Sequence, residues 1–384
     1  MQGKGHRRQP APRRLPMASL IAVAALLTAS CATLRTEPRL EAFLESRMKA
    51  LGAVGFGAGI VRDDRLVWSH VWGTADKAAG APVTVDTVFR ICSISKAITG
   101  LAAMAAVEHG MLDLDADIGT YLPHQIRNRR YPDVAITARM LMSHSSSIID
   151  DWAFFDLLTS VPEPAMPLAD LVREALAPDG QTRRRESWLD APPGTAAVYS
   201  NLGIATLAAV IESATGTAFE AWTDRMIVEP LGMRDVAWFE SRLPAGTPLG
   251  RPYGFHREAI EQWHVPQWPA GSLLASVRGF APLAAVFINR GVVGGKRILR
   301  ETSLEAMERP TAGRYGLALL VPVNHPADTR LRGHYGDMPG FHSGFLYDPQ
   351  QRVGAYYFAN GQFYHTMLRA EVESALIDAA RGAQ

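Results

Sequence analysis

Ser93 and Lys96 stand three residues apart in Phe89-Arg90-Ile91-Cys92-Ser93-Ile94-Ser95-Lys96, directly ahead of an apolar, Ala-rich stretch with helical character. On a helical turn that spacing puts a hydroxyl and an amine on one face. A serine is a poor nucleophile at neutral pH unless a base takes its proton as it attacks. A lysine one turn away is such a base once burial and its neighbours keep it neutral. A helix start also presents backbone N–H groups near the serine, where they can hold a developing oxyanion. The chemistry so assembled is acyl transfer through a serine ester.

Spacing alone does not select this pair. Ser46-Arg47-Met48-Lys49 repeats it, next to Leu40-Glu41-Ala42-Phe43-Leu44, and there an amphipathic helix with a solvated face accounts for it. Around Ser93 the residues Ile91, Cys92, Ile94, Ile98, Leu101 and Met104 predict a helix buried on most sides. A buried lysine without a task is costly, so the pair at 93 and 96 reads as functional. Cys92 invites a thiol-nucleophile reading as well. A small buried hydrophobe at the end of a strand or loop accounts for it better, because no Cys/His pair is spelled nearby.

The elements that must position these groups follow from periodicity and turn residues. Residues 39–51 read as a helix, and 55–61 with 66–72 as a hairpin about the turn-like Arg62-Asp63-Asp64-Arg65. The helix carrying Lys96 runs to about Gly110. From 112 to 243 the pattern is mostly helical with Pro and Gly breaks, clearest at 136–142, 167–177 and 201–217. Residues 251–268 form a long loop whose Tyr253, Phe255, Trp263 and Trp268 suit either a pocket mouth or packing against the body. A helix at 278–287 precedes strands at 315–321, 330–335, 341–347 and 352–358, and a helix at 366–379 closes the chain. Strands at both ends with helices between predict an α/β (α+β) fold. One antiparallel sheet is built from both chain ends and flanked by helices, with a mainly helical subdomain over 112–243 and the chemistry in the cleft between.

The 384 residues suffice for one large domain or two, and the formal charge is +1. Lys4, Arg7, Arg8, Arg13 and Arg14 all precede residue 31, where no acid occurs, so the remainder is mildly acidic. That argues against nucleic acid as a partner. Arg127, Arg129 and Arg130, and Arg183, Arg184 and Arg185, read as solvated loops. The basic start, the apolar run over 17–27 and the small residues Thr28-Ala29-Ser30 give residues 1–30 the form of an export signal, too short to span a bilayer comfortably. The end of that run resembles a bacterial lipoprotein cleavage site, with Thr28 where leucine is preferred. On that reading Cys31 becomes the lipidated first residue, the chain touches membrane through a lipid anchor, and it resides in the periplasm or cell envelope. With Cys31 lipidated, Cys92 has no partner for a disulfide.

Two further motifs complete a set. Tyr199-Ser200-Asn201 follows Pro193-Gly194-Thr195, and His334-Tyr335-Gly336 lies in Gly333-His334-Tyr335-Gly336-Asp337-Met338-Pro339-Gly340-Phe341. With Ser93 and Lys96 these resemble the serine β-lactamase and penicillin-binding-protein superfamily. The nearest branch holds class C β-lactamases, D-Ala-D-Ala carboxypeptidases, D-aminopeptidases and related esterases. Leu141-Met142-Ser143-His144-Ser145-Ser146, Glu229-Pro230-Leu231-Gly232-Met233 and Pro269-Ala270-Gly271-Ser272 extend the likeness over nearly all of 31–384.

The resemblance implies a role for each motif residue. Ser93 is acylated and Lys96 takes or relays its proton. Tyr199, as phenol or phenolate, relays a proton to the leaving group and activates the deacylating water. Asn201 bonds the substrate's amide and helps to position Lys96. His334, with Gly336 in the same motif, stands where the third-motif lysine orients substrate. The backbone N–H groups of Ser93 and Asp337 form the oxyanion hole. Bland readings stand beside these: Tyr199 as a half-buried tyrosine at a helix start, and Asn201 as an N-cap, or as both cap and site residue. His342-Ser343-Gly344 is a second H-x-G, but the Pro-Gly-Phe after His334 places the motif there. His144, His256 and His264 read as structural residues, and no zinc-type spacing occurs, so neither metal nor other cofactor is implied.

Three departures matter. Histidine in the third motif is usual among the family's peptidases and esterases and removes a fixed positive charge. Asp337, if it faces the cleft, adds a negative one. Ser146 stands where the family's H-T-S-G stretch has glycine, which questions that turn. The implied function is an exported serine hydrolase forming an acyl-enzyme from an amide or ester. Its substrate is a small molecule or peptide: a β-lactam, a D-amino-acid peptide or a small ester, with His334 weighing against a strong β-lactamase. The alternative is a catalytically silent envelope protein that binds wall peptides or a protein partner.

Overall fold

The two ends of the chain meet in a single sheet. The structure is a computed structural model and describes residues 37–152, 163, 166–180, 187–261, 264–323, 328–363 and 366–382. In chain order the elements are α1 (Glu37–Leu51), β1 (Gly55–Arg62), β2 (Arg65–Asp76), β3 (Ala81–Pro82) and β4 (Val88–Arg90). A 3-10 turn (Cys92–Ile94) leads into α2 (Ser95–Glu108), followed by α3 (Ala138–Met142), α4 (Leu168–Leu176), α5 (Asn201–Thr215) and α6 (Phe219–Thr223). Then come β5 (Val236–Ala237), β6 (Leu274–Ser276), α7 (Val277–Ile288), β7 (Val292–Val293), β8 (Lys296–Arg297) and α8 (Glu301–Glu308). The chain closes with β9 (Arg332–Met338), β10 (Phe341–Asp348), β11 (Val353–Asn360) and α9 (Thr366–Gly382).

Among the described residues the main sheet runs β3-β2-β1-β11-β10-β9, antiparallel throughout. The sheet of both chain ends, flanked by helices, is therefore present as expected. Its two faces explain the apolar run in β11. Ala355, Tyr357 and Ala359 point to a core with Leu40, Leu44 and Met48 of α1 and Val372 and Leu376 of α9. Tyr356 and Phe358 point to the other core, with Phe280 and Phe287 of α7 and the helical block. A strand buried on both faces carries no polar alternation. Pro339 and Gly340 join β9 to β10, and Gly340 has φ 77. Proline followed by a residue at positive φ is the chemistry of a type II turn.

Two features depart from the sequence reading. Residues 315–321 are not a strand. They form a tight loop with single bridges Tyr315↔Leu320 and Leu320↔Gly333, and Ala318 has φ 59. Leu317, Leu319 and Val321 are buried in the core without joining a ladder, and an apolar run alone does not distinguish the two. A three-stranded sheet, β4-β6-β5, has no counterpart in the sequence pattern, because its strands span only two or three residues each. It frames the segment that carries Ser93.

Candidate active site

The turn holding Ser93 is clamped from two sides. On one, the Ile91 N–H donates to the Leu273 carbonyl at 2.9 Å, and Ser95 Oγ accepts from the Leu273 N–H at 3.1 Å while donating to the Cys92 carbonyl at 2.6 Å. On the other, Ser343 Oγ of β10 donates to the Ile91 carbonyl at 2.7 Å. Cys92 has φ 51, an uncommon value for a residue with a side chain. It turns the chain so that Ser93 is partly exposed while Cys92 and Lys96 are buried. The Cys92 thiol is pushed far up by burial, which leaves it protonated, in keeping with a packing role.

Lys96 is fully buried beneath Ser93. Its Nζ lies 3.0 Å from Ser93 Oγ, and donates to Asn201 Oδ1 and to the Ala270 carbonyl at 2.7 Å each. Burial lowers its pKa to about 7, against the opposing charge of Asp150. A neutral amine has two N–H bonds and one lone pair. With the N–H groups on Asn201 and Ala270, the lone pair faces the serine hydroxyl.

Tyr199 lies against the same amine, its ring centroid 4.7 Å from Lys96 Nζ. Burial pushes the phenol well above its usual range, so the phenol form is the resting one of the two left open by the sequence. The ring of His144 packs on Tyr199 at 4.6 Å and on Tyr315 at 4.7 Å, and its Nδ1 accepts the Ser200 N–H at 3.2 Å. Ser200, rather than Asn201, caps α5 through the Gly203 N–H at 2.8 Å. Asn201 is therefore the first helical residue, with its amide turned to Lys96. Asp150, which sequence reasoning missed, accepts from Asn201 Nδ2 at 2.7 Å. A lone acid beside another in Asp150-Asp151 carried no spacing signal.

The edge strand β9 closes the site. The ring centroid of His334 is 6.2 Å from that of Tyr199, and Nδ1 donates to the Tyr335 carbonyl at 2.6 Å, leaving Nε2 as an acceptor. Burial and the nearby Lys96 lower its pKa to about 3, so it is neutral over the working range. A Cβ on Gly336 would meet the Ile91 carbonyl oxygen at 2.6 Å, Cys92 Cβ at 2.7 Å and Ser343 Oγ closer still, so only glycine lets β9 approach the turn. The Gly333 carbonyl accepts the Leu320 N–H at 2.9 Å on the open edge of β9. Counting by twos along the strand, the backbone of Asp337 faces that same edge.

Several expectations are corrected here. Asp337 does not turn its charge to the cleft. Its carboxylate accepts from His342 Nδ1 at 2.6 Å and from Arg369 at 2.8 Å on the α9 side. Partial desolvation pushes this half-exposed carboxyl up, but the His342 hydrogen bond and the Arg369 charge outweigh it and hold it below its usual range. His342 is spent on this contact and on Phe363, whose N–H it accepts at 3.1 Å. In the H-S-S-S stretch the left-handed residues are His144 (φ 56) and Ser147 (φ 61), so Ser147, not Ser146, holds the strained place of a glycine. Tyr253 and Trp268 are buried and Phe255 is exposed, while Trp263 and Cys31 lie outside the described residues. Among the described residues no cluster of three or more His, Cys, Asp or Glu could hold a metal ion.

Residues 40–378 match the Beta-lactamase family model. Over 200 residues the chain is 30% identical to Esterase EstB of Burkholderia gladioli, a match covering 51% of this chain and 50% of that one. Over 197 residues it is 29% identical to a D-aminopeptidase of Brucella canis, covering 51% and 35%. The solved structure of the octameric penicillin-binding protein homologue from Pyrococcus abyssi aligns with a TM-score of 0.72 at 25% identity, covering 90% of this chain and 78% of that one. The chain thus matches half the length or less of these two curated relatives.

Proposed function

The chain belongs to the beta-lactamase family, and within it we propose a serine hydrolase that cleaves esters or D-amino-acid amides through an acyl-enzyme on Ser93. The observation that carries this is the amine of Lys96, buried, held near neutral pKa and 3.0 Å from a partly exposed hydroxyl. Lys96 takes the Ser93 proton as Oγ attacks the carbonyl carbon, and the resulting ammonium is held by Asn201 Oδ1 and the Ala270 carbonyl. The N–H groups of Ser93 and Asp337 hold the oxyanion. Tyr199 passes its proton to the departing amine or alcohol and recovers one through Lys96. In the second half the same pair draws a proton from water as it attacks the ester, and returns it to Ser93 Oγ as the bond between Oγ and the acyl carbon breaks and the acid leaves. Neutral His334 offers Nε2 as an acceptor for a substrate N–H or hydroxyl and supplies no charge for a carboxylate.

Esters and D-amino-acid amides rank ahead of β-lactams for that reason, and the esterase and D-aminopeptidase among the relatives agree with the order. One preparation offered a p-nitrophenyl ester, a D-amino-acid amide, a D-Ala-D-Ala peptide and nitrocefin tests this. The ester or the amide turns over fastest, and Ser93→Ala abolishes turnover and fluorophosphonate labelling alike. A folded wild type that neither turns over nor labels would leave the silent binding protein in its place. We also place the protein in the cell envelope, on the leader-like residues 1–30 and Cys31. Incorporation of labelled palmitate that persists in Cys31→Ala would end the lipoprotein part.

A further inference from the structure

We infer that Asp150 is a positioning residue for Lys96, acting through the side-chain amide of Asn201; the inference rests on the acyl-transfer reading above. Both carboxylate oxygens are committed at the start of α5. Oδ2 accepts from the Asn201 backbone N–H at 3.0 Å and from Asn201 Nδ2 at 2.7 Å. Oδ1 accepts from the Leu202 N–H at 2.9 Å and from Ser200 Oγ at 3.3 Å. Bonds to backbone N–H groups are ordinary at a helix start, where the first donors lack partners. Ser200 already caps this helix. The bond to Nδ2 does what a cap does not require.

A carboxamide turned by half a revolution exchanges its oxygen and nitrogen in place. With Nδ2 on a carboxylate, Oδ1 must face Lys96 Nζ. In the flipped state the oxygen would oppose the carboxylate of Asp150, and two donors would oppose each other at Lys96. Asp150 removes that state. It thereby keeps an acceptor 2.7 Å from Nζ, which holds the amine's lone pair on Ser93 Oγ. The charged and titratable groups facing Lys96 are Cys92 on its own turn, His144 and Asp150 in the segment after α3, Tyr199 ahead of α5 and His334 on β9. Of these Asp150 carries the negative charge that favours the ammonium.

The test compares Asp150→Asn, Asp150→Glu and Ser276→Ala, the last removing the N-cap of α7 away from the amide. With a p-nitrophenyl ester, Asp150→Asn lowers kcat about tenfold or more at little change in KM. The acid limb of its kcat/KM profile moves to lower pH, because the charge that raised Lys96 is gone. Asp150→Glu recovers part of both, and Ser276→Ala changes neither. A 13C NMR titration of the lysine Cε, with Lys49, Lys77 and Lys296 as internal references, reads the Lys96 pKa without substrate and shows it lowered in Asp150→Asn. An unmoved Lys96 titration with wild-type kcat in Asp150→Asn overturns the inference, as does an equal loss of kcat in Ser276→Ala. A wild type with no turnover defeats the hydrolase reading alone, and the Lys96 titration then decides this inference by itself.

Discussion

Among single residues, the proposed chemistry turns on an amine that is a base at neutral pH. Lys96 has its folded pKa lowered from 10.5 to about 7, so activity rises with pH through about 7 as the amine becomes neutral. Lys96→Met lowers kcat by about 10²- to 10⁴-fold. The same shift has a sign for stability. The unfolded chain binds the extra proton between about 7 and 10.5, so this group makes wild-type stability rise with pH across that window. The stability of Lys96→Met relative to wild type is therefore greatest below about pH 7 and declines towards 10.5, which denaturant titrations at pH 6 and 10 measure. His334, held to about 3, gives no inflection between pH 5 and 9. Ser93 and Lys96 were legible because their spacing and apolar neighbours speak locally. Asp150 and Ser147 were not, since one acts through a contact 51 residues away and the other through a backbone angle.

Among the elements, β9 and the turn around Cys92 must lie in near contact if, as proposed, the Ser93 and Asp337 N–H groups are to share one oxyanion. Gly336→Ala puts a methyl against the Ile91 backbone and Cys92, and the expected cost is about 1–3 kcal/mol of stability. Because the strain falls on the catalytic turn, kcat also drops in protein still folded at the assay temperature. A drop in Tm with unchanged kcat would contradict the role given to this contact. The long helices and hairpin strands were readable from their periods and stops, such as the left-handed Gly216 after α5. The short strands β4, β5 and β6 were not, because two or three residues hold no period. Residues 315–321 misled for a related reason: an apolar run states that it is buried and not by what.

At the scale of the whole molecule, one antiparallel sheet from both chain ends brings residues 93, 199 and 334 to one place, and the family match over residues 40–378 agrees with that architecture. Topology of this kind was inferable because strands at the ends and helices between leave few economical ways to cover both faces. The substrate was not, because it depends on surfaces contributed by segments far apart in sequence. The cleft holds a neutral imidazole, and Asp337 is spent on Arg369. Neutral acyl donors should therefore exceed carboxylate-bearing ones in kcat/KM, by a margin that does not collapse at high salt. Acyl transfer to Ser93 is put to the test by trapping the protein with a slow p-nitrophenyl ester at neutral pH and mapping the adduct by peptide mass spectrometry. One acyl group on the Ser93 hydroxyl, formed faster as pH rises through about 7, is expected; an acyl group on any other residue, with Ser93 unmodified, would rule out Ser93 as the nucleophile.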